Sequence, residues 1–492
     1  MLYITLALVA IVVFLLFRFF SIDLSIFEKM GIETPPTNRF LGNFGLAIKL
    51  GIFDVQTVFY SKFKHKKVYG WYDFRRPTMI VKDLDLAKEI LVKQFNHFID
   101  RPSIFEVNPP FSETLLFLQG ERWKHVRSVV SPTFSSSRLK KLSGHVVRNA
   151  KVMLENVRQM QESGQEVELR EFASCFTLDV IASTGFGLEM DTLKNPKNRF
   201  ATEAKNVFNP NPFLYVFLLL VPELSKWCSK LGLPLLPQKS MEYFAQVVDA
   251  AIEGRKKEGT EGKVNDFLDL MMNAEERTES HKELTRTEIH AQAISFIFAS
   301  YDTLATVMSF TLFMLAMHPE LCQRVQAEVD DRCGQNTPDY ENVQGLSYLD
   351  MFINETVRLY PPGSLIHRKC VQEIEIEGIR FPKDITVLVP MYAFHTDPDI
   401  WPEPDKFDPE RFTQENKDAR HPYAHMPFGQ GPRNCVGQRL ALLVLKVAIA
   451  TVVQRYTPTA CSKSVYPVHL SKLQAKATDG LWVKFETRRK AT

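Results

Sequence analysis

The sequence lacks a strong charge excess, a paired cysteine motif and a nucleotide-binding loop. Its 60 basic and 57 acidic residues give a net charge of +3, too even a balance for nucleic acid as a bulk partner. The seven cysteines are scattered, odd in number and without a Cys-x-x-Cys pair, which suits a reducing compartment. No Gly-x-Gly-x-x-Gly or Walker-type loop occurs, so we do not expect the chain to bind NADPH or ATP itself. Any reducing electrons must therefore come from another protein.

The chain also lacks an internal linker, and its organisation is set at the N-terminus. Leu2 to Phe20 is almost wholly apolar and close to the roughly 20 residues that span a bilayer, so we predict a transmembrane anchor over 1–20. A cleaved signal peptide is the less favoured alternative, since no basic residue precedes this stretch. Basic residues follow it, which predicts a cytosolic body. Residues 21–45, with Pro35-Pro36, predict a hinge, and 46–492 a single catalytic domain.

Two further stretches carry weaker predictions. Residues 213–221 are nine consecutive apolar residues, too few to span a membrane, and both a buried segment and a lipid-contacting patch remain open. Glu253 to Asn265 is dense in Lys, Glu and Gly, which predicts a solvated loop.

Residues 285–317 contain no Gly or Pro and predict a long helix. Thr285 and Glu288 have the spacing of a capping box, and Pro319 follows the predicted end. The second half is apolar enough to resemble a membrane span, but Asp302 lies in its middle and would be costly in lipid. We therefore predict a helix inside the fold.

The segment 428–437 combines glycines with a single cysteine before an apolar helix, Leu440 to Val453. Gly429 and Gly431 permit positive φ and a tight turn. Cys435 would then lie at a helix start, where the partial positive charge should lower the thiol pKa and favour the metal-binding thiolate. Gly437 would let a flat cofactor approach closely.

The pattern Phe-Gly-x-Gly-x-Arg-x-Cys-x-Gly, from Phe428 to Gly437, resembles the heme-binding signature of the cytochrome P450 superfamily. The resemblance implies that Cys435 is the axial iron ligand of heme b, that Phe428 packs near it, and that Arg433 pairs with a heme propionate. In the same way Trp123-x-x-x-Arg127 resembles a second propionate-binding element. The turn after Pro361-Pro362 also resembles the family, and this resemblance implies that Arg368 holds a heme propionate as well.

Ala299-Ser300-Tyr301-Asp302-Thr303 resembles the oxygen-activation element of the family, with Ser300 in place of the usual glycine. Thr303 should return its hydroxyl to the carbonyl of Ala299 and open a notch in the helix. We expect the Ser300 hydroxyl to bond the carbonyl of Phe296 or to hold a water. The resemblance implies that Thr303 and Asp302 manage protons.

Glu355-x-x-Arg358 and Arg411 resemble the buried ion-pair triad of the same family, a structural feature and not a catalytic one. Together the motifs resemble the animal microsomal branch that includes the drug-oxidising family 3. This implies a mainly α fold with a small β region (α+β), the heme lying between the Thr303 helix and the Cys435 loop.

The implied function is a monooxygenase of the endoplasmic reticulum membrane with its catalytic domain facing the cytosol. The implied partners are NADPH-cytochrome P450 reductase, cytochrome b5, membrane lipid and a lipophilic substrate of the steroid, lipid or xenobiotic class, with no nucleic acid. A heme-thiolate isomerase that acts on peroxides without O₂ or NADPH is the alternative.

Overall fold

The computed structural model describes residues 21–103, 107, 109–207, 214, 218, 221, 224–231, 237–259, 266–275 and 284–488. The predicted anchor and most of 213–221 lie outside these ranges. Over the first half of the chain the helices are α1 Ser25–Lys29, α2 Phe44–Leu50, α3 Ile52–Lys62, α4 Leu84–Lys88, α5 Gly120–Val130, α6 Ser136–Glu162, α7 Leu169–Phe186, α8 Arg199–Val207, α9 Ser225–Lys230 and α10 Gln238–Glu258. They are followed by α11 Phe267–Glu275, α12 Arg286–Met317, α13 Pro319–Cys333, α14 Tyr340–Val343, α15 Ser347–Leu359, α16 Met391–Thr396, α17 Gln414–Ala419 and α18 Gln438–Val453.

The strands are β1 Val68–Asp73, β2 Arg76–Val81, β3 Val167–Glu168, β4 Ile366–Lys369, β5 Ile374–Ile376, β6 Ile379–Phe381, β7 Thr386–Val389, β8 Tyr456–Thr459 and β9 Trp482–Thr487. The first sheet has the order β1-β2-β7-β4, with β2 and β7 parallel and the other neighbours antiparallel. The remaining sheets are β3-β9-β8 and the β5-β6 pair. The predicted mainly α fold with a small β region is confirmed.

The long helix α12 is the centre of the main core. Thr285 caps it, and its hydroxyl accepts the N–H of Glu288 at 3.2 Å while the Glu288 carboxylate accepts the N–H of Thr285 at 2.9 Å, as a capping box requires. The helix packs along α7 and against α18. It is long and apolar enough to cross a membrane, yet most of it is buried by protein, which confirms the prediction of an internal helix.

Two local predictions are wrong. Residues 253–258 continue α10 instead of starting a loop, because Arg255 turns inward, where its guanidinium pairs with the buried Asp266 and donates to the carbonyl of Phe186. The apolar spacing from Lys82 to Gln94 predicts one amphipathic helix, but the helix begins only at Leu84, after the cap Asp83, and changes at Glu89 to a π-helical turn that ends at Lys93.

Candidate functional site

The loop that precedes α18 has the shape the glycines predicted. Gly429 and Gly431 have φ values of +70° and +77°. At Gly431 an added Cβ would lie 1.9 Å from the carbonyl oxygen of Leu91, which leaves no room for any side chain. The loop is closed by a hydrogen bond from the Cys435 N–H to the carbonyl of Phe428 at 2.8 Å. The loop is therefore held both by its own turn and by the π-helical segment that contains Leu91.

Cys435 lies three residues before the first residue of α18, and its thiol has a mixed environment. The pKa of the thiol is raised, chiefly because the surrounding protein desolvates the thiolate, although the residue keeps accessible surface. The amides of Gly437 and Gln438 and the cations of Arg127 and Arg101 act in the opposite direction. The prediction of a lowered pKa is thus wrong for the chain by itself. The predicted amides do point to the sulfur, but the desolvation of the site outweighs them.

Thr303 lies on the face of α12 that is not packed by protein. Its hydroxyl donates to the carbonyl of Ala299 at 2.7 Å, as predicted. The residue is exposed although Phe298 and Leu304 beside it are buried, and Cys435 is exposed as well. Accessible side chains within core elements are typical of residues that line an internal chamber. The hydroxyl of Ser300 forms no hydrogen bond within the described part of the chain, so the expected bond to Phe296 is absent.

Two buried arginines, Arg433 in the Cys435 loop and Arg368 on β4, have unused hydrogen-bonding groups. Arg433 and Arg368 are 3% and 1% exposed. Arg433 donates to the carbonyl of Leu118 and its guanidinium lies 4.6 Å from the centre of the Trp123 ring. Its Nε and Nη1, and Nε of Arg368, are buried without a partner in the part of the chain that the structure describes. Burial and the neighbouring Arg101 lower the pKa of each guanidinium to about 9. Such groups require anions, and carboxylates fit their geometry.

Comparison with known proteins decides the family. The cytochrome P450 family model matches residues 34–477. The chain belongs to the cytochrome P450 family. It is 37% identical to "Cytochrome P450 3A16" of Mus musculus over 475 residues, which are 95% of this chain and 93% of that protein. It is 38% identical to "Cytochrome P450 3A31" of Mesocricetus auratus over 477 residues (95% and 93%), and 36% identical to "Cytochrome P450 3A7" of Homo sapiens over 475 residues (94% and 92%).

Membership confirms the resemblance to family 3 and makes the chain a P450 monooxygenase, an oxidoreductase that uses heme iron. The residues present fit that cofactor. Cys435 is accessible, and the buried Arg368 and Arg433 keep N–H groups without partners within the described residues, which suits a cofactor that carries an iron and carboxylates. Among the described residues no group of three or more His, Cys, Asp or Glu side chains is placed to hold a metal ion. A Cβ added to Gly437 would contact only Phe134, at 3.8 Å, so the chain leaves room for a flat cofactor to approach Gly437 closely.

A second pair of arginines, Arg127 and Arg101, contacts the backbone of the Cys435 loop. Arg127 donates to the carbonyl and the side-chain oxygen of Asn434, at 3.0 and 2.9 Å, while Trp123 is buried beneath Arg433. Arg101, which the sequence did not single out, donates to the carbonyl of Arg433 at 3.4 Å, and burial lowers its pKa. None of these four arginines forms an ion pair within the described ranges. The only sequence signal for Arg101 was a cation between Asp100 and Pro102.

The side chain of Asp302 is held in an ion pair and is not a free carboxylate. Its carboxylate is bound by the guanidinium of Arg170 on α7, which also donates to the hydroxyl of Thr306 at 2.6 Å. The Asp302 side chain is 44% exposed, so water still reaches it. Arg170 is the second functional residue that the sequence motifs missed, because its partner is more than 130 positions away.

The triad implied by the resemblance is present. Arg358 donates to both carboxylate oxygens of Glu355, at 2.7 and 2.8 Å, and Arg411 lies 3.5 Å from one of them. Burial raises the pKa of Glu355, while Arg358 opposes the shift. Glu355 also accepts the N–H of Asp408 at 2.9 Å, which ties the chain before the Cys435 loop to α15. This network is structural.

Proposed function

We propose that the chain inserts one oxygen atom of O₂ into a lipophilic molecule of the steroid, lipid or xenobiotic class. The electrons would come from NADPH through NADPH-cytochrome P450 reductase, with cytochrome b5 as a second donor. The observation that carries the proposal is the hydroxyl of Thr303 bonded back to Ala299, next to a carboxylate that water reaches. A pure isomerase would not need a route for protons.

The proposed binding roles follow from the unused donors. Heme b would supply reduction of O₂ and transfer of an oxygen atom. Cys435 would hold the iron, with Phe428 packed beside it. Arg433, Arg368, Trp123, Arg127 and the newly found Arg101 would bind the propionates, which supports the site because it would neutralise cations that the protein leaves unpaired.

The proton route would use the side chains of Asp302 and Thr303. The Asp302 carboxylate is bound by Arg170 and is exposed on its other side, where it can accept hydrogen bonds from water. The Thr303 hydroxyl can accept a hydrogen bond from a water while its own proton is directed to Ala299. By rotating its hydroxyl, Thr303 can pass a proton to a ligand in the chamber. Ala299 provides the carbonyl that positions this hydroxyl at rest.

The test is the yield of product per NADPH consumed. Thr303→Ala should lower this yield by up to about a hundredfold, the lower end of what a positioned proton donor contributes, with the electrons appearing in hydrogen peroxide. Ser300→Gly in that background should lower it further, because the unbonded Ser300 hydroxyl is available to hold a water. Heme content should not change. If product forms at full rate from a peroxide without NADPH, and none forms from O₂ with reductase, the isomerase function replaces this proposal.

Membrane attachment is proposed at two places. The predicted anchor at 1–20 would hold the chain in the endoplasmic reticulum membrane with the catalytic domain in the cytosol. Around α9, Leu224, Trp227 and Leu231 are 36%, 62% and 75% exposed at a spacing that puts them on one side of the helix. An exposed apolar face that directly follows the apolar stretch 213–221 supports contact with lipid.

The reductase would bind a basic face near Arg122, Lys124, His125 and Lys140, and this face is less basic than its sequence suggests. Arg122 pairs with the buried Glu288, Lys124 with Glu121 at 2.7 Å, and Lys140 with Glu341 at 2.5 Å. The last two pairs are exposed and weak, so an acidic partner can compete for these lysines. Arg122 is the exception, because its partner is buried.

A further inference from the structure

A second concave site lies on the side of the sheet β1-β2-β7-β4 and shares no residue with the heme site. It is a cleft of about 490 Å³ between the end of α3, the turn that follows it, the end of β2 and the region of α16. Its lining is polar at almost every position: Thr57, Tyr60, Ser61, Lys64, His65, Lys66, Lys67, Lys82, Asp83, Ala393, Thr396, Asp397, Pro398 and Asp399. Four lysines face three aspartates there.

Lys82 is the unusual member of this lining. It is only 7% exposed, and its ammonium lies 4.3 Å from the centre of the Tyr60 ring. Within the described part of the chain this ammonium forms neither a hydrogen bond nor an ion pair, whereas the backbone N–H of Lys82 donates to the carbonyl of Lys67 at 2.8 Å. A largely buried cation that packs on an aromatic face has lost part of its hydration without gaining a directly bonded anion.

The carboxylates that face the cleft have partners other than Lys82. Asp399 pairs with Lys64, Asp397 accepts the hydroxyl of Tyr60 at 2.9 Å, and Asp83 accepts the N–H of Leu86 at 2.8 Å as a helix cap. Burial lowers the pKa of Lys82 to about 8, Lys64 adds to this effect and Asp397 opposes it. The nearby charges therefore leave the Lys82 ammonium without a direct ionic partner.

The rim cations are different, because each is exposed and already paired. Lys66 lies 2.7 Å from Glu33 and Lys67 lies 2.6 Å from Glu377. Exposed pairs of this kind contribute little stability and exchange easily for a bound anion. The exposed hydroxyl of Ser61 forms no hydrogen bond within the described ranges and adds an uncharged donor at the same rim.

We propose that this cleft binds a phosphate group, with Lys82 at its base and the rim lysines and Ser61 around it. A compact ammonium with three donors suits phosphate, which accepts from several directions. The cleft is larger than a phosphate ion, so the group would be carried by a larger molecule, either a soluble phosphoester or an anionic lipid headgroup. The site does not depend on the proposed monooxygenase chemistry.

Equilibrium dialysis of the heme-loaded protein with radiolabelled inorganic phosphate tests the site directly. We expect saturable binding to the wild type, weakened at least about tenfold by Lys82→Met, since a charged bond to the anion is lost. Lys194→Met is the control, because Lys194 is an exposed lysine paired with Asp191 at 3.2 Å and lies outside the cleft. The carbon monoxide spectrum verifies folding of each variant. Saturable binding that Lys82→Met leaves unchanged, or its absence from the wild type, would overturn the proposal.

Cosedimentation with vesicles then distinguishes the two carriers. Vesicles of phosphatidylcholine alone are compared with vesicles that also contain phosphatidic acid, for the wild type, Lys82→Met and Lys82→Arg. A preference for phosphatidic acid that Lys82→Met abolishes and Lys82→Arg keeps supports a lipid headgroup at this site. Loss of soluble phosphate binding with an unchanged vesicle preference supports a soluble phosphoester. Loss of monooxygenase activity alone would bear on the heme site and not on this one.

Discussion

Gly431 offers the sharpest test of how the Cys435 loop is built. Replacing it with alanine has two costs. A non-glycine residue at φ of +77° loses about 1–2 kcal/mol in the left-handed region. The added Cβ would also lie 1.9 Å from the carbonyl oxygen of Leu91, which is backbone and fully buried, so the loop or the π-helical turn must move. Overpacking of this kind costs about 1–3 kcal/mol more.

The sum, about 2–5 kcal/mol, is a large part of the 5–15 kcal/mol that stabilises a typical domain, and it acts on the loop that carries Cys435. We expect Gly431→Ala to lose most of the thiolate-type carbon monoxide band and to lower the unfolding midpoint.

Gly429→Ala is a matched control in the same loop. Its φ is +70°, but an added Cβ would meet only the Cα of Asn434, at 3.8 Å. The control therefore has the backbone strain without the collision, and should keep most of the band. If the two variants lose the band and the stability equally, the contact with Leu91 is not what holds the loop.

Four further outcomes are expected. Cys435→His should lose the red-shifted carbon monoxide band, and an unchanged spectrum would remove Cys435 as the ligand. Lys82→Met should raise the free energy of unfolding at pH 7 by up to about 3 kcal/mol, because the pKa is about 8 in the folded state against about 10.4 unfolded. The folded state then binds fewer protons between these values, so the wild type should gain stability as pH rises from 8 to 10 and the variant should not. Lys124→Glu should slow the first electron transfer from the reductase, as should added salt, and insensitivity to both would exclude this face. Deleting residues 1–20 should weaken membrane attachment without abolishing it, and a fully soluble product would exclude lipid contact around α9.

The parts of the site that the sequence predicted are those encoded by neighbours in the chain. The bond from Thr303 to Ala299 spans one helical turn, and the capping box of Thr285 spans three residues. The positive φ values at Gly429 and Gly431 likewise follow from residue type. Such features depend on spacing alone, so the sequence is sufficient.

What the sequence could not predict depends on distant partners. Arg170 lies more than 130 positions from Asp302, and Arg101 more than 330 from Arg433. Arg255 lies in a run that is polar enough to predict a loop, and only the buried Asp266 explains why it is helical and inward. The direction of the Cys435 pKa shift is a further case, because the helix start is visible in the sequence whereas the desolvation that outweighs it is not.

The arginines near Cys435 depend both on short sequence motifs and on contacts between distant parts of the chain. Each of Arg127, Arg368 and Arg433 was proposed from a separate short motif, and no motif indicates that the three converge with Arg101 on one loop. Once they converge, burial lowers the pKa of each guanidinium, and repulsion from neighbouring arginines adds to this effect at Arg101, Arg368 and Arg433. Part of the hydrogen-bonding capacity of Arg368 and Arg433 stays unused within the described residues. Unlike Arg358, which pairs with Glu355, none of the four forms an ion pair in the described part of the chain, although the charge of Asp100 acts on Arg433. We therefore propose that anionic groups of a bound cofactor complete the cluster, and the propionates of heme are such groups.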